Sequence, residues 1–184
     1  MARADRTPGI RPRVTLARRL DIASRYALPA GTTVLLMLLA EAPYCIAGRA
    51  AILPAVTFAC VFFWSLLRPG AMPPPVVFVV GLLFDLLGYL PLGVGALTLL
   101  IVHGLVVHWR QILMRQGFVA AWLTFAGFAA GAAVLGWVAT ALLMFRLLPV
   151  DPVLFETVLA AALYPALAIL FVCVDRTAAD PERA

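Results

Sequence analysis

Asp85 is the residue in this 184-residue chain whose surroundings most demand an explanation. It sits in the middle of Gly81-Leu82-Leu83-Phe84-Asp85-Leu86-Leu87-Gly88, deep inside an apolar stretch. Placing a carboxylate at such a depth in lipid costs about 2.5–3.5 kcal/mol on insertion scales, so it should face a partner or a cavity. Asp85 lies seven residues before the turn near Leu92 and Thr98 six after it, which puts both at one depth. A hydrogen bond between Asp85 and Thr98 is therefore expected. His103, about 6 Å deeper on the same count, is a weaker candidate, and Arg68 is too far toward the other end. Such a carboxylate can hold a partner helix or carry a proton; it can equally pair two helices of its own bundle.

The remaining chemistry-bearing residues are sparse. His103 and His108, the two histidines, are five apart and do not share a helix face as the i, i+4 pairs of metal sites do. No metal or cofactor is expected. His108 beside Trp109 reads as an interfacial residue. Cys45, Cys60 and Cys173 are far apart in or near apolar segments and read as packing residues. Glu41 and Glu156 are expected near the outer surface, Glu156 as an N-terminal acid favoured by a helix dipole. Gly127 and Gly131 form a GxxxG surface widened by alanines, which permits close helix approach. Packing within the chain is the default reading, and a partner interface is the alternative. No GxSxG elbow, HExxH pair or Walker loop occurs, so an enzyme is not expected.

The elements that must position these residues are apolar runs without period-2 alternation, hence helices rather than barrel strands. The expected spans are Leu28–Ile46, opened by Pro29; Ala50–Leu67, ended by Trp64 and Arg68 as interface anchors; and Val76–Leu90. A fourth continues to Trp109, a fifth covers Phe118–Phe145, and the last covers Val153–Val174, with Asp151-Pro152 as its cap and a kink at Pro165. Pro73 to Pro75 are expected to forbid helix and stiffen the preceding connector. The third span, about 22 Å long at helical rise, is short against a hydrocarbon core of about 30 Å. The third and fourth helices therefore either cross a thinned membrane or form a re-entrant pair around the Pro91-Leu92-Gly93 turn.

Composition agrees. Hydrophobic residues make up 64% of the chain and charged ones 12%, where a soluble domain carries about 25% charged. Mean hydropathy is +1.03. So few charges cannot cover a soluble core, and most of this surface must meet lipid. The net charge of +5 comes from arginine alone. The basic residues flank apolar spans, which argues for a topological role and against nucleic-acid binding. Twelve of the fourteen arginines fall on one side of a six-span arrangement, and only Arg49 and Arg146 on the other. Both termini are accordingly expected in the cytoplasm. The expected organisation is a basic tail over residues 1–26, a six-helix bundle over 27–175 and a short polar tail over 176–184. The first tail is read as disordered in preference to an interfacial helix built on Val14, Leu16, Leu20 and Ile22.

Taken in order, Arg68-Pro69, Gly81, Asp85, Pro91-Leu92-Gly93 and Leu97 resemble the bacterial rod shape-determining MreD family. Its hallmark is an Arg-Pro after the second helix, then a G-x-x-x-D helix and a P-x-G turn. The resemblance spans roughly residues 28 to 175, with its specific part in about 30 of them; Arg68, Pro69, Gly81, Asp85, Pro91 and Gly93 are the positions that carry the motif. It implies a non-enzymatic inner-membrane component of the cell-elongation machinery that supports peptidoglycan synthesis. The implied partners are the scaffold MreC, with MreB, RodA and penicillin-binding protein 2 in the wider complex. The implied fold is an all-α membrane bundle similar to the substrate-binding subunits of energy-coupling-factor transporters. The alternative function is thus a substrate-binding membrane subunit of a vitamin-type transporter. A vitamin pocket should show inward polar and aromatic groups near an outer face, and the short outward loops are poor in them.

Overall fold

The computed structural model describes residues 16–42, 49–88, 91–115, 117–145 and 149–179, with the backbone course alone for 16–27, 49–50 and 174–179. Among these residues there are six α-helices, one 3-10 turn and no strand. The helices are α1 (Leu16–Ala40), α2 (Arg49–Leu67), α3 (Pro74–Leu87), α4 (Val94–Leu113), α5 (Phe118–Met144) and α6 (Asp151–Ala179). Three segments are long and apolar enough to cross a membrane: Val94–Leu113, Phe118–Met144 and Asp151–Cys173. Leu28–Ala40, Ala51–Leu67 and Pro74–Leu87 are apolar but shorter.

The axis of the fold is α2. Every residue from Ala55 to Leu66 is buried, and α1, α3, α4, α5 and α6 all pack against it. A helix that is apolar on all sides has no face to offer to water, so it belongs at the centre. Its aromatic side chains set the packing. Phe62 meets Phe125 edge-on at 5.2 Å and Tyr164 at 5.9 Å, while Phe125 stacks on Tyr164 at 4.3 Å. Around this core the outer helices present large apolar side chains outward, among them Leu35, Val79, Leu86, Leu105, Leu123 and Ile169. Soluble monomers rarely expose so continuous an apolar surface.

Several expectations need correction. Trp64 is not an interface anchor: it is 1% exposed, packed between Phe63 and Phe171, because the helices around α2 enclose it through its last turn. The first helix starts at Leu16, not near Leu28, so Pro29 lies inside it and residues 16–26 are helical rather than a disordered tail. Arginine and leucine are good helix formers, and extending an existing helix costs far less than nucleating one. Its C-terminal end is Ala40; the expected continuation through Tyr44 and Cys45 to Ile46 lies outside the described residues, as do Val14, Leu90 and Arg146.

The triple proline does not forbid helix. Pro73 is the N-cap of α3, and Pro74 and Pro75 are its first two residues. The first helical N–H groups have no intrahelical acceptor, so their absence in proline costs nothing there. Asp151 is the first residue of α6 rather than its cap, and the helix runs on to Ala179 through part of the expected tail. Pro165 lies inside α6. Cys60 is buried in α2, as a packing residue should be, whereas Cys173 is exposed.

Candidate functional site

Gly93 has φ +101°, a left-handed conformation that glycine adopts without strain. It is the N-cap of α4 and has no side chain with which to cap it. Asp85 supplies the missing group from α3. Its Oδ1 accepts the Gly95 N–H at 2.6 Å, and its Oδ2 accepts those of Gly93 at 2.8 Å and Ala96 at 3.3 Å. Gly95 and Ala96 hold the second and third helical positions, the N–H groups that a capping side chain ordinarily serves. A carboxylate there also meets the positive end of the helix dipole. Asp85 is 1% exposed, and its charge is met by backbone donors instead of a basic residue.

The expected partner Thr98 is therefore displaced. Its Oγ1 donates to the Val94 carbonyl at 2.8 Å within α4, and Thr98 remains a buried packing residue. A carboxylate bonds best to several donors at once, and a helix N-terminus offers them where a single hydroxyl does not. His103 is not Asp85's partner either. Its Nδ1 lies 2.7 Å from Ser65 Oγ, a buried bond between α4 and α2.

The G-x-x-x-D spacing has a matching purpose. Gly81 and Asp85 are one turn apart and face α4 together. A Cβ at Gly81 would overlap the Ala96 backbone, and one at Gly95 would overlap Phe84 and the Asp85 carboxylate. The close approach of α3 and α4 thus requires both glycines. Pro91 contributes its carbonyl, which accepts the Val94 N–H at 3.2 Å. Arg68 and Pro69 are not brought to this cluster. Pro69 opens the 3-10 turn Pro69–Ala71 before α3, whereas Asp85 lies eleven residues beyond Pro74, about 16 Å along the helix.

At the other end of α4, Arg110 donates from Nε to the Leu66 carbonyl at 2.7 Å and from Nη2 to that of Leu67 at 3.3 Å. It caps the last turn of α2, whose final carbonyls have no intrahelical donor. Nothing in the sequence marks this role, since Arg110 falls where the apolar run ends and reads only as a loop charge.

Among the described residues, Gly127 and Gly131 are not at a close helix–helix approach. A Cβ at either would meet nothing within 4 Å, and both are exposed. They line instead a groove between α4 and α5, walled by Ile101, Leu105, Trp109 and Leu135. The small-residue contact that joins helices lies at Gly81 and Gly95. The face that α5 turns inward is another one, with Phe125, Ala129, Ala132 and Ala133 buried and Phe125 stacked on Tyr164 of α6. The Trp122 indole N–H donates to the Ala161 carbonyl at 2.7 Å.

A cavity of about 350 Å³ lies at the opposite end from Arg110 and draws residues from α2 to α6 and from just beyond α1. Glu41 follows the end of α1, Leu87 ends α3, Val94 starts α4, and Glu156 belongs to the first turns of α6. Phe58, Phe84 and Trp137 form much of the wall, with Thr98 and Thr140 as polar points. Glu41 and Glu156, expected at an outer surface, are half-buried here. The polar and aromatic groups sought in loops are supplied by the helices themselves.

Together these features define an all-helical protein with three helices able to span a membrane, an apolar outer surface, and two recesses of different chemistry. No family model, curated protein or solved structure matches the chain.

Proposed function

We propose that the chain is a six-span bacterial inner-membrane protein of the MreD type, a non-enzymatic adaptor of the cell-elongation machinery. In this reading the α4–α5 groove receives a transmembrane helix of the scaffold MreC, linking it to MreB, RodA and penicillin-binding protein 2. The observation that carries it is the pair Gly127 and Gly131, one turn apart, with open space where a Cβ would stand, set in a largely apolar groove. In lipid, helices associate by backbone approach across small residues, and this surface offers that approach to a second helix.

Six spans are supported by the cavity, where helix ends alternate C-terminal and N-terminal from α1 to α6. Such alternation suits a chain that passes up and down six times. The shorter α2 is sheathed by its neighbours and need not match the lipid thickness itself. The uneven placement of arginines supports cytoplasmic termini. Replacing Gly127 and Gly131 together by leucine tests the adaptor. Loss of co-purification with MreC from a stably folded variant is the expected result, and full retention would remove the groove from the function. A reporter fused after Ala184 should be active in the cytoplasm.

A second reading, a small-molecule-binding membrane subunit, is favoured by one observation. The cavity of about 350 Å³ falls in the range of ligand pockets, with apolar walls and a few convergent polar groups.

A further inference from the structure

We propose that the cavity between Glu41 and Glu156 binds a small organic cation with an apolar body. The inference rests on the second reading and specifies its ligand. The only ionisable side chains among the described lining residues are these two carboxylates, one beyond α1 and one in α6. Among the described residues neither carboxylate has a hydrogen-bond or ion-pair partner. A half-buried carboxylate without a counter-charge is costly, and a cationic ligand removes that cost at both. Phe58, Phe84 and Trp137 offer apolar surface, and aromatic faces add attraction for a cation within about 6 Å.

Among the described residues, two of the helix starts at the cavity are closed to an anionic ligand. The start of α4 lines the cavity and would be a natural anion site, but Asp85 already occupies its N–H groups at Gly93, Gly95 and Ala96. At the start of α6, the N–H groups of Val153 and Leu154 both donate to the Val150 carbonyl. The chain's own anion thus closes one helix terminus and its backbone closes another. Among the described lining residues, the two carboxylates are the groups that select by charge.

The test uses the full chain in nanodiscs of phosphatidylcholine, with empty discs as the blank. Three probes of one shape are titrated by calorimetry: phenylpropylammonium, phenylpropanol and phenylpropionate. The ammonium should bind saturably, about tenfold or more tighter than the alcohol, and the carboxylate should not bind. Glu41→Gln with Glu156→Gln should bring the ammonium down to the affinity of the alcohol. A Cβ at Gly136, another lining residue, meets nothing within 4 Å, so Gly136→Leu can fill the cavity without disturbing the helix and should abolish binding of both. Equal affinity for ammonium and alcohol, with both lost in Gly136→Leu, would overturn the cation and leave a small-molecule cavity standing. A double glutamine variant that keeps the preference for ammonium would overturn the cation in the same way. Absence of saturable binding by every probe, or binding indifferent to Gly136→Leu, would overturn the cavity reading as well.

Discussion

The Asp85 carboxylate accepts the Gly95 backbone N–H at 2.6 Å, so a side chain of α3 caps the first turn of α4. Both of its oxygens are engaged, and the donors are backbone groups that no side-chain change can remove. The relationship accounts for an acid in an apolar helix without assigning it a proton to carry. It also makes Gly81, Asp85, Gly93 and Gly95 one structural unit instead of four separate motif positions.

Removing that cap should be costly. Asp85→Ala strands three N–H groups, two of them buried, and is expected to destabilise the fold by about 2–3 kcal/mol. Asp85→Asn keeps one carbonyl acceptor and should cost less. Chemical unfolding in mixed micelles gives the comparison, and a wild-type midpoint for Asp85→Ala would show that the cap contributes nothing. Weakened partner binding by Asp85→Ala would then need correction for this loss of stability.

The glycines should separate into two kinds. Gly81→Ala drives a methyl into the Ala96 backbone, which cannot rotate aside, and should destabilise by about 1–3 kcal/mol. Gly127→Ala enters open space and should stabilise the helix by about 0.5–1 kcal/mol. Equal effects in the same unfolding assay would contradict the packing described for α3 and α4.

Ser65 and His103 should be energetically coupled. Their buried bond of 2.7 Å joins the central α2 to α4. A double-mutant cycle with Ser65→Ala and His103→Ala should return about 0.6–2 kcal/mol, the range of interhelical bonds in membranes. Strict additivity would mean that the bond does not hold the two helices.

Arg110 should matter through its fork rather than its charge alone. Arg110→Ala leaves the Leu66 and Leu67 carbonyls without their donor and should cost about 1 kcal/mol. Lysine can restore a charge at the helix end but not two directed donors. Arg110→Lys is therefore expected to recover only part of the loss, and full recovery would reduce the contact to a charge–dipole effect.

Much of the helical layout is legible in the sequence because it depends on one local quantity, the run of apolar residues. The fifth helix is expected over Phe118–Phe145 and is found over Phe118–Met144. The second is expected from Ala50 and begins at Arg49. The starts of α1 and α3 depart from expectation because proline reads as a stop signal in both. One proline is carried inside a long helix, and the others occupy a first turn that needs no N–H.

Local patterning was enough to establish that this chain is helical and apolar, and that Asp85 must find a partner. Residue counting set Asp85 level with Thr98, whereas its carboxylate meets the start of α4 at Gly93, Gly95 and Ala96. Which groups meet could be settled only in three dimensions, because rotation about each helix axis is fixed by packing against neighbours distant in the chain. That rotation turned Asp85 to backbone N–H groups instead of Thr98, enclosed Trp64, and left Gly127 and Gly131 uncovered. It also drew Glu41 and Glu156, from opposite ends of the sequence, to the wall of one cavity.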